Sequence, residues 1–318
     1  MLLSTRLVAA VLAALPLAAA YPPELARSTR EFCQSEPSPA LLALHEKIVT
    51  GDQPTLDKIA QGEEIIADAL AKGDAGLHGR TTGMTVTKRE TGELITLDAW
   101  FHVVYNSNST AGGYIPPAKL QEQLQVLNKA YDPSNLGFRL VGSTYTENAA
   151  WANDPDGNET PMKTALHRGD SRTLNLYFVP GLGNGGVCVF PNMNAYGNEA
   201  LALDGCMVGT FSLPGNKGPF NMGLTAVHEV GHWFGLLHTF QGGCDAVRGD
   251  FIADTPAERT ANVAVCPAGR DTCPELPGLD PIENYMDYSN DACYNTFTPG
   301  QTSRMRSLLA LVRLGPLS

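Results

Sequence analysis

An α+β fold is what this 318-residue sequence predicts, on three observations. From residue 94 onward, stretches with strand-like alternation are interleaved with one long stretch of helical period. A histidine-bearing segment near residue 228 reads as a helix that begins near Leu224. Beyond Phe240 the chain runs through loops rich in Cys, Pro and Asp and then closes on a single well-capped helix.

The elements follow in chain order. LITLDAWFHVVYN, residues 94–106, alternates and is rich in β-branched and aromatic residues, so it is a strand. PPAKLQEQLQVLNKAYDP opens on proline and spaces Leu120, Leu124, Leu127 and Tyr131 as one helix face. FRLVGSTYTEN and LNLYFVP are the next strands, and the Gly-rich GLGNGGVCVFPN reads as a sheet-edge strand. A helix begins near Leu224. In FTPGQTSRMRSLLALVRL, Thr298, Pro299 and Gln301 fit N-cap, N1 and N3 of the last helix.

Residues 21 to about 90 differ in character. TLDKIAQGEEIIADALAKGD places Leu56, Ile59, Ile65, Ile66 and Leu70 on a rough helical period, and GLHGRTTGMTVTKRE after it reads as a linker. Arg80 and the pair Lys88-Arg89 offer that linker to a protease, or are merely exposed basic residues. The organisation expected is a signal peptide over 1–20, a prosegment and linker over 21–90, and a catalytic domain over 91–318.

Composition narrows the setting. With 43% hydrophobic and 17% charged residues the chain can bury a substantial core. A formal charge of -11 and the lack of any Lys/Arg cluster argue against nucleic acid and anionic membranes as partners. MLLSTRLVAAVLAALPLAAA carries Arg6, a short apolar run broken by Pro16, and small residues Ala18 and Ala20, the pattern of a secretory signal rather than a membrane span. The sequons at Asn108 and Asn158 agree with secretion and should lie on the surface. Of seven cysteines, six fall between Cys188 and Cys293, as an oxidising compartment would pair them, while Cys33 stands apart.

HEVGHWFGLLH, residues 228–238, carries the chemistry. Helix positions four apart are rotated by only about 40° and rise about 6 Å, so His228 and His232 can converge on one cation. Glu229 sits one residue round, where a general base for an activated water belongs. On a continuous helix His238 would lie roughly 15 Å from His228, whereas zinc ligands come within about 2.1 Å of the ion. The helix must therefore end between them, and Gly235 can take the left-handed conformation that ends it. Histidines 45, 78, 102 and 167 have no partner spacing and read as structural or exposed.

This segment resembles the long zinc-binding consensus of the metzincin metalloproteases, and ENYMDYSNDAC resembles their methionine turn, with Met286 beneath the metal. HTFQGG with Cys244, GDFIADTP, Cys266, Cys273, NYMDY and Cys293 is most similar to the pappalysin-type members, among them secreted fungal metalloproteases. The resemblance implies a metzincin-like zincin domain: a twisted mixed sheet with backing and active-site helices, then a loop-rich lower subdomain with a C-terminal helix. It implies one catalytic Zn2+ held by His228, His232 and His238, with Glu229 as general base and Tyr288 as a donor to the oxyanion. Acting as a secreted monomer, such an enzyme takes proteins or peptides as substrates. The disulfides implied are Cys244 with Cys273 and Cys266 with Cys293, leaving Cys188 with Cys206.

Three further candidates keep an alternative beside them. Cys33, in EFCQSEPSP, is a latency switch whose thiolate occupies the open zinc position, or a lone thiol. Asp291 lines the pocket for the residue after the scissile bond and favours Arg or Lys there, or it caps a turn. Asp250 and Thr255 hold a structural Ca2+ as their counterparts do in relatives, or form a surface turn. A non-catalytic zinc module, the contrasting function, would be expected to lack Glu229. A zincin of another family would draw its third ligand from a distant carboxylate, which Gly235 and His238 argue against.

Overall fold

Strand β2 (Gly92–Tyr105) organises the sheet, because its length lets three partners share it. In the computed structural model, which describes residues 32–71, 84–192 and 198–314, β3 (Leu136–Glu147) runs parallel along one edge of β2. The other edge is taken first by β1 (Met84–Arg89), antiparallel, and then by β4 (Leu174–Val179), parallel. Beyond β4 lie β6 (Cys206–Gly209), parallel, and β5 (Gly186–Cys188), antiparallel at the rim. The result is the mixed sheet expected. Residues 84–89, read in sequence as part of a linker, are a strand of that sheet, and Arg89 there pairs with Asp132. The signal segment, His78 and Arg80 lie outside the described residues.

Period-two burial shows why the strands read as they do. In β4, Leu174, Leu176 and Phe178 enter the main core, whereas Tyr177 and Val179 enter a second cluster on the opposite face. A parallel strand covered on both faces has no polar face to alternate. On the main face lie α3 (Pro117–Tyr131) and α7 (Leu224–Trp233), and Tyr131 donates from its hydroxyl to the Val227 carbonyl at 2.8 Å. On the other lie α4 (Ala149–Asn153) and α5 (Glu159–Leu166), with Ala152, Met162 and Leu166 against Val104 and Tyr177. A short α6 (Asn198–Ala202) precedes β6.

The lower part of the chain is loops until α8 (Pro299–Leu308), whose Thr298–Gln301 capping box is formed as the sequence indicated. A π turn, Leu309–Arg313, continues it. The N-terminal segment packs onto that end: α1 (Pro39–Thr50) sets Leu41 and Leu44 against Leu237, Leu308 and Leu311, and α2 (Gln53–Ala71) inserts Ile66 into the main core. Gly62 is what lets α2 approach, since a Cβ there would stand 2.2 Å from the Ala310 carbonyl oxygen. Asn108 is exposed, but Asn158 is only partly so, and its side-chain amide donates to the Asp154 carbonyl. No helix among the described residues is long and apolar enough to cross a membrane.

Candidate active site

Every residue of α7 is buried, so its histidines are held by packing before any ligand is considered. His228 Nδ1 lies 2.7 Å from the Tyr285 carbonyl and His232 Nδ1 2.7 Å from the Leu236 carbonyl. A carbonyl only accepts, so both protons sit on Nδ1 and both Nε2 atoms present lone pairs. The helix stops at Trp233. Gly235 follows at φ 93°, donating to the His232 carbonyl, and a Cβ there would also meet Leu308 at 2.3 Å. Two independent constraints thus require glycine where the chain reverses. That reversal brings His238 Nε2 to 3.0 Å from His232 Nε2, which in turn is 3.1 Å from His228 Nε2.

Two bare lone pairs 3.1 Å apart repel, and burial keeps the imidazoles neutral: His228 is lowered to about 4, and His232 and His238 fall well below the usual histidine value. A divalent cation between them converts that repulsion to attraction. Three neutral imidazole nitrogens are zinc's preferred donors, so the residues fit the ion.

The methionine turn supports this cluster from below. Tyr285 supplies the carbonyl for His228, and Met286, fully buried, seats its sulfur against α7 where a Gly231 Cβ would be 2.4 Å away. Tyr288 ends the turn with its hydroxyl 3.1 Å from His238 Nε2. These roles come from residues 57 and 50 positions away in sequence.

Glu229 faces the rim strand rather than the histidines' common point. Gly186 abuts it so closely that a Cβ would stand 2.5 Å from its side chain. Burial raises its carboxyl to about 8, opposed by hydrogen bonds from Cys33 and Ser35. Those bonds come from a strip of the N-terminal segment laid along β5. Phe32 accepts from the Gly185 amide at 2.7 Å, and Gln34 donates to the Gly186 carbonyl. Cys33 is thereby brought among the histidines, the four ligand atoms lying within 4.8 Å of one another. Burial and the Glu229 charge push its thiol well above the usual value, the reverse of what a nearby dication does. Tyr288 donates to the Cys33 carbonyl at 3.0 Å.

Ser35 was not visible as a candidate in the sequence. Its hydroxyl donates to Glu229 Oε2 at 3.2 Å and accepts from the Cys188 amide at 2.8 Å. The one available signal was its place two residues after Cys33, which puts both side chains on one face of an extended strip.

Asp291 is buried, and its amide donates to the Pro219 carbonyl at 2.9 Å. Its Oδ2 accepts the Met222 amide at 2.7 Å, and the Asn221 and Leu224 amides also stabilise its charge, so the carboxylate braces the turn that leads into α7. Burial raises its carboxyl to about 6. Asp250 accepts the Ile252 amide and is raised to about 7, while Asp245 and Asp254 serve local turns and the α8 N-terminus. Among the described residues no second group of three or more His, Cys, Asp or Glu converges as the zinc candidates do. The disulfides are Cys188–Cys206, Cys244–Cys273 and Cys266–Cys293, and Cys33 is free.

Comparison with known proteins agrees with this geometry. A peptidase family profile described as pregnancy-associated plasma protein-A matches residues 171–310. An extracellular metalloprotease of Pyricularia oryzae is 44% identical over 287 residues, covering 89% of this chain and 96% of its own. One of Verticillium alfalfae is 47% identical over 260 residues, covering 80% and 87%. Among solved structures, Tannerella forsythia mature mirolysin in complex with a cleaved peptide aligns at a TM-score of 0.56 with 25% identity, over 68% of this chain and 95% of its own. A mutant of Tannerella forsythia promirolysin aligns at 0.60 with 24% identity, over 89% and 95%. With relatives this similar spanning nearly the whole chain, the protein belongs to the pappalysin family and is a metalloprotease with a metzincin-like fold.

Proposed function

We propose that the protein is a secreted zinc endopeptidase, made as a zymogen and used to degrade extracellular proteins. The observation that carries this is the convergence of His228, His232 and His238 beside a buried Glu229 that ligates nothing. Zinc, when bound there, supplies a Lewis acid that acidifies water and polarises a peptide carbonyl. Glu229 takes the proton of the attacking water on its carboxylate and delivers it to the leaving amine. The Tyr288 hydroxyl, freed from the Cys33 carbonyl, donates to the oxyanion developing on the scissile carbonyl.

In the form described here that machinery is covered. Cys33 takes the place at the histidines, Ser35 and Cys33 occupy Glu229, and Tyr288 is spent on the Cys33 backbone. The wider reach of the promirolysin fold match, 89% of this chain against 68% for mature mirolysin, supports counting the N-terminal segment as a prosegment. Removal of the segment that precedes β1 would then open the cleft, and the Asp291 carboxylate would favour Arg or Lys after the scissile bond.

Hydrolysis of an unstructured protein by the processed enzyme tests the reading. It should stop with a chelator, return with zinc, and yield internal cuts. Chelator-resistant hydrolysis, or trimming from chain ends alone, would refute it.

A further inference from the structure

The strip along β5 carries a third seated side chain. Cys33 and Ser35 reach the histidines and Glu229, yet Phe32 is also seated, only 7% exposed, in a cradle of its own. Its ring stacks on Phe220 with centroids 4.0 Å apart and meets Tyr288 edge-to-face at 5.5 Å. Gly185 forms the floor, where a Cβ would stand 2.5 Å from the ring. The backbone of the same residue is held as an added strand holds a sheet edge, its carbonyl accepting from Gly185. Main chain on the rim strand and one side chain in a fitted recess is how an extended peptide is read.

Phe220 is itself held in position. The Pro219 carbonyl accepts the Asp291 amide at 2.9 Å, and the Met222 amide donates to the Asp291 carboxylate. The stacking face therefore stands on a fixed loop and survives departure of Phe32.

We propose that the cradle of Phe220, Tyr288 and Gly185, filled here by Phe32, is a substrate side-chain subsite that takes an aromatic residue. It rests on the reading of the cleft as a peptidase site and adds a preference that Asp291 does not supply.

Two measurements test it. Peptide-library profiling of the processed enzyme should show aromatic residues favoured over alanine by about tenfold at one fixed position, the scale of a stacked and edge-on aromatic contact. In Phe220→Ala that ratio should fall toward one, and in Phe220→Tyr it should persist. Absence of any aromatic-enriched position, or a ratio unchanged in Phe220→Ala, overturns the subsite while leaving proteolysis intact. The second measurement needs no activity: maleimide labelling of Cys33 in the intact chain. Phe32→Ala and Phe220→Ala should each speed labelling about tenfold, and Phe32→Trp should not. A chain that hydrolyses nothing defeats the peptidase reading alone; the subsite then falls if both alanine variants label Cys33 no faster than wild type.

Discussion

At the scale of single residues, Glu229 and the histidines separate two functions that one motif encodes. Glu229→Gln keeps a side chain of the same shape beside Gly186 but cannot accept a proton, so zinc content and melting temperature should hold while hydrolysis drops by at least about a thousandfold. Activity within tenfold of wild type would remove Glu229 from the mechanism. His238→Ala should instead weaken zinc retention in equilibrium dialysis, because it takes one donor from the set; full stoichiometric zinc would mean a different third ligand. Asp291 needs a variant that divides the turn it braces from the specificity proposed for it. Asp291→Asn keeps an oxygen for the Met222 amide and loses the charge, so any preference for basic residues should vanish while the aromatic preference set by Phe220 persists. If library profiles show neither change, Asp291 has no part in specificity. The histidine set was legible in sequence because helix geometry fixes the spacing and Gly235 marks the break. Ser35 was not, since it meets Glu229 across 194 positions, with nothing local to betray it.

Among the elements, β5 and the strip against it would decide, on the zymogen reading proposed above, whether the site is open. β5 is three residues long with one edge on β6, and the strip takes the other, so the proposed latency would rest on a few backbone bonds plus the Cys33, Ser35 and Phe32 side chains. Divided that way, no single side chain holds the strip alone. Cys33→Ser in the unprocessed protein should therefore raise early activity only in part, and Ser35→Ala, which frees a Glu229 oxygen, should raise it further in the double variant. The lag before full hydrolysis of a fluorogenic peptide reads this out; an unaltered lag in the double variant would dismiss the switch. The rim strand, the capped α8 and the helical stretch of α2 are legible in the sequence, because periodicity or cap chemistry is local there. Less legible are α1, whose Ser38-Pro39 start is a cap signal in a proline-rich setting, and β1, whose strand character depends on pairing with β2.

For the whole molecule the question is what cutting the chain between 72 and 83 achieves. The N-terminal segment is part of the packed molecule, because Ile66 joins the main core, Leu41 and Leu44 pack with Leu308 of α8, and His45 contacts Arg304. That contact is buried, and burial with the neighbouring guanidinium lowers His45 to about 3, so it stays neutral at any working pH and gives no acid-triggered release. Burying Leu41, Leu44 and Ile66 stabilises the docked segment by roughly 2 kcal/mol each. The sum approaches the about 8 kcal/mol of a micromolar complex, with Phe32 and the strip's hydrogen bonds set against the cost of association. A single cut at Arg80 should consequently leave the enzyme latent, with residues 32–71 bound and inhibitory until a second cut destroys them. Limited trypsin digestion should give two fragments that co-elute on size exclusion and separate in denaturant, with activity still below a tenth of the fully processed enzyme. Leu44→Asp, which places a charge against Leu308, should let the cut segment dissociate and the activity appear at once. Prompt activity in the singly cut wild type, with the segment eluting apart, would show that the linker alone holds the inhibitor in place.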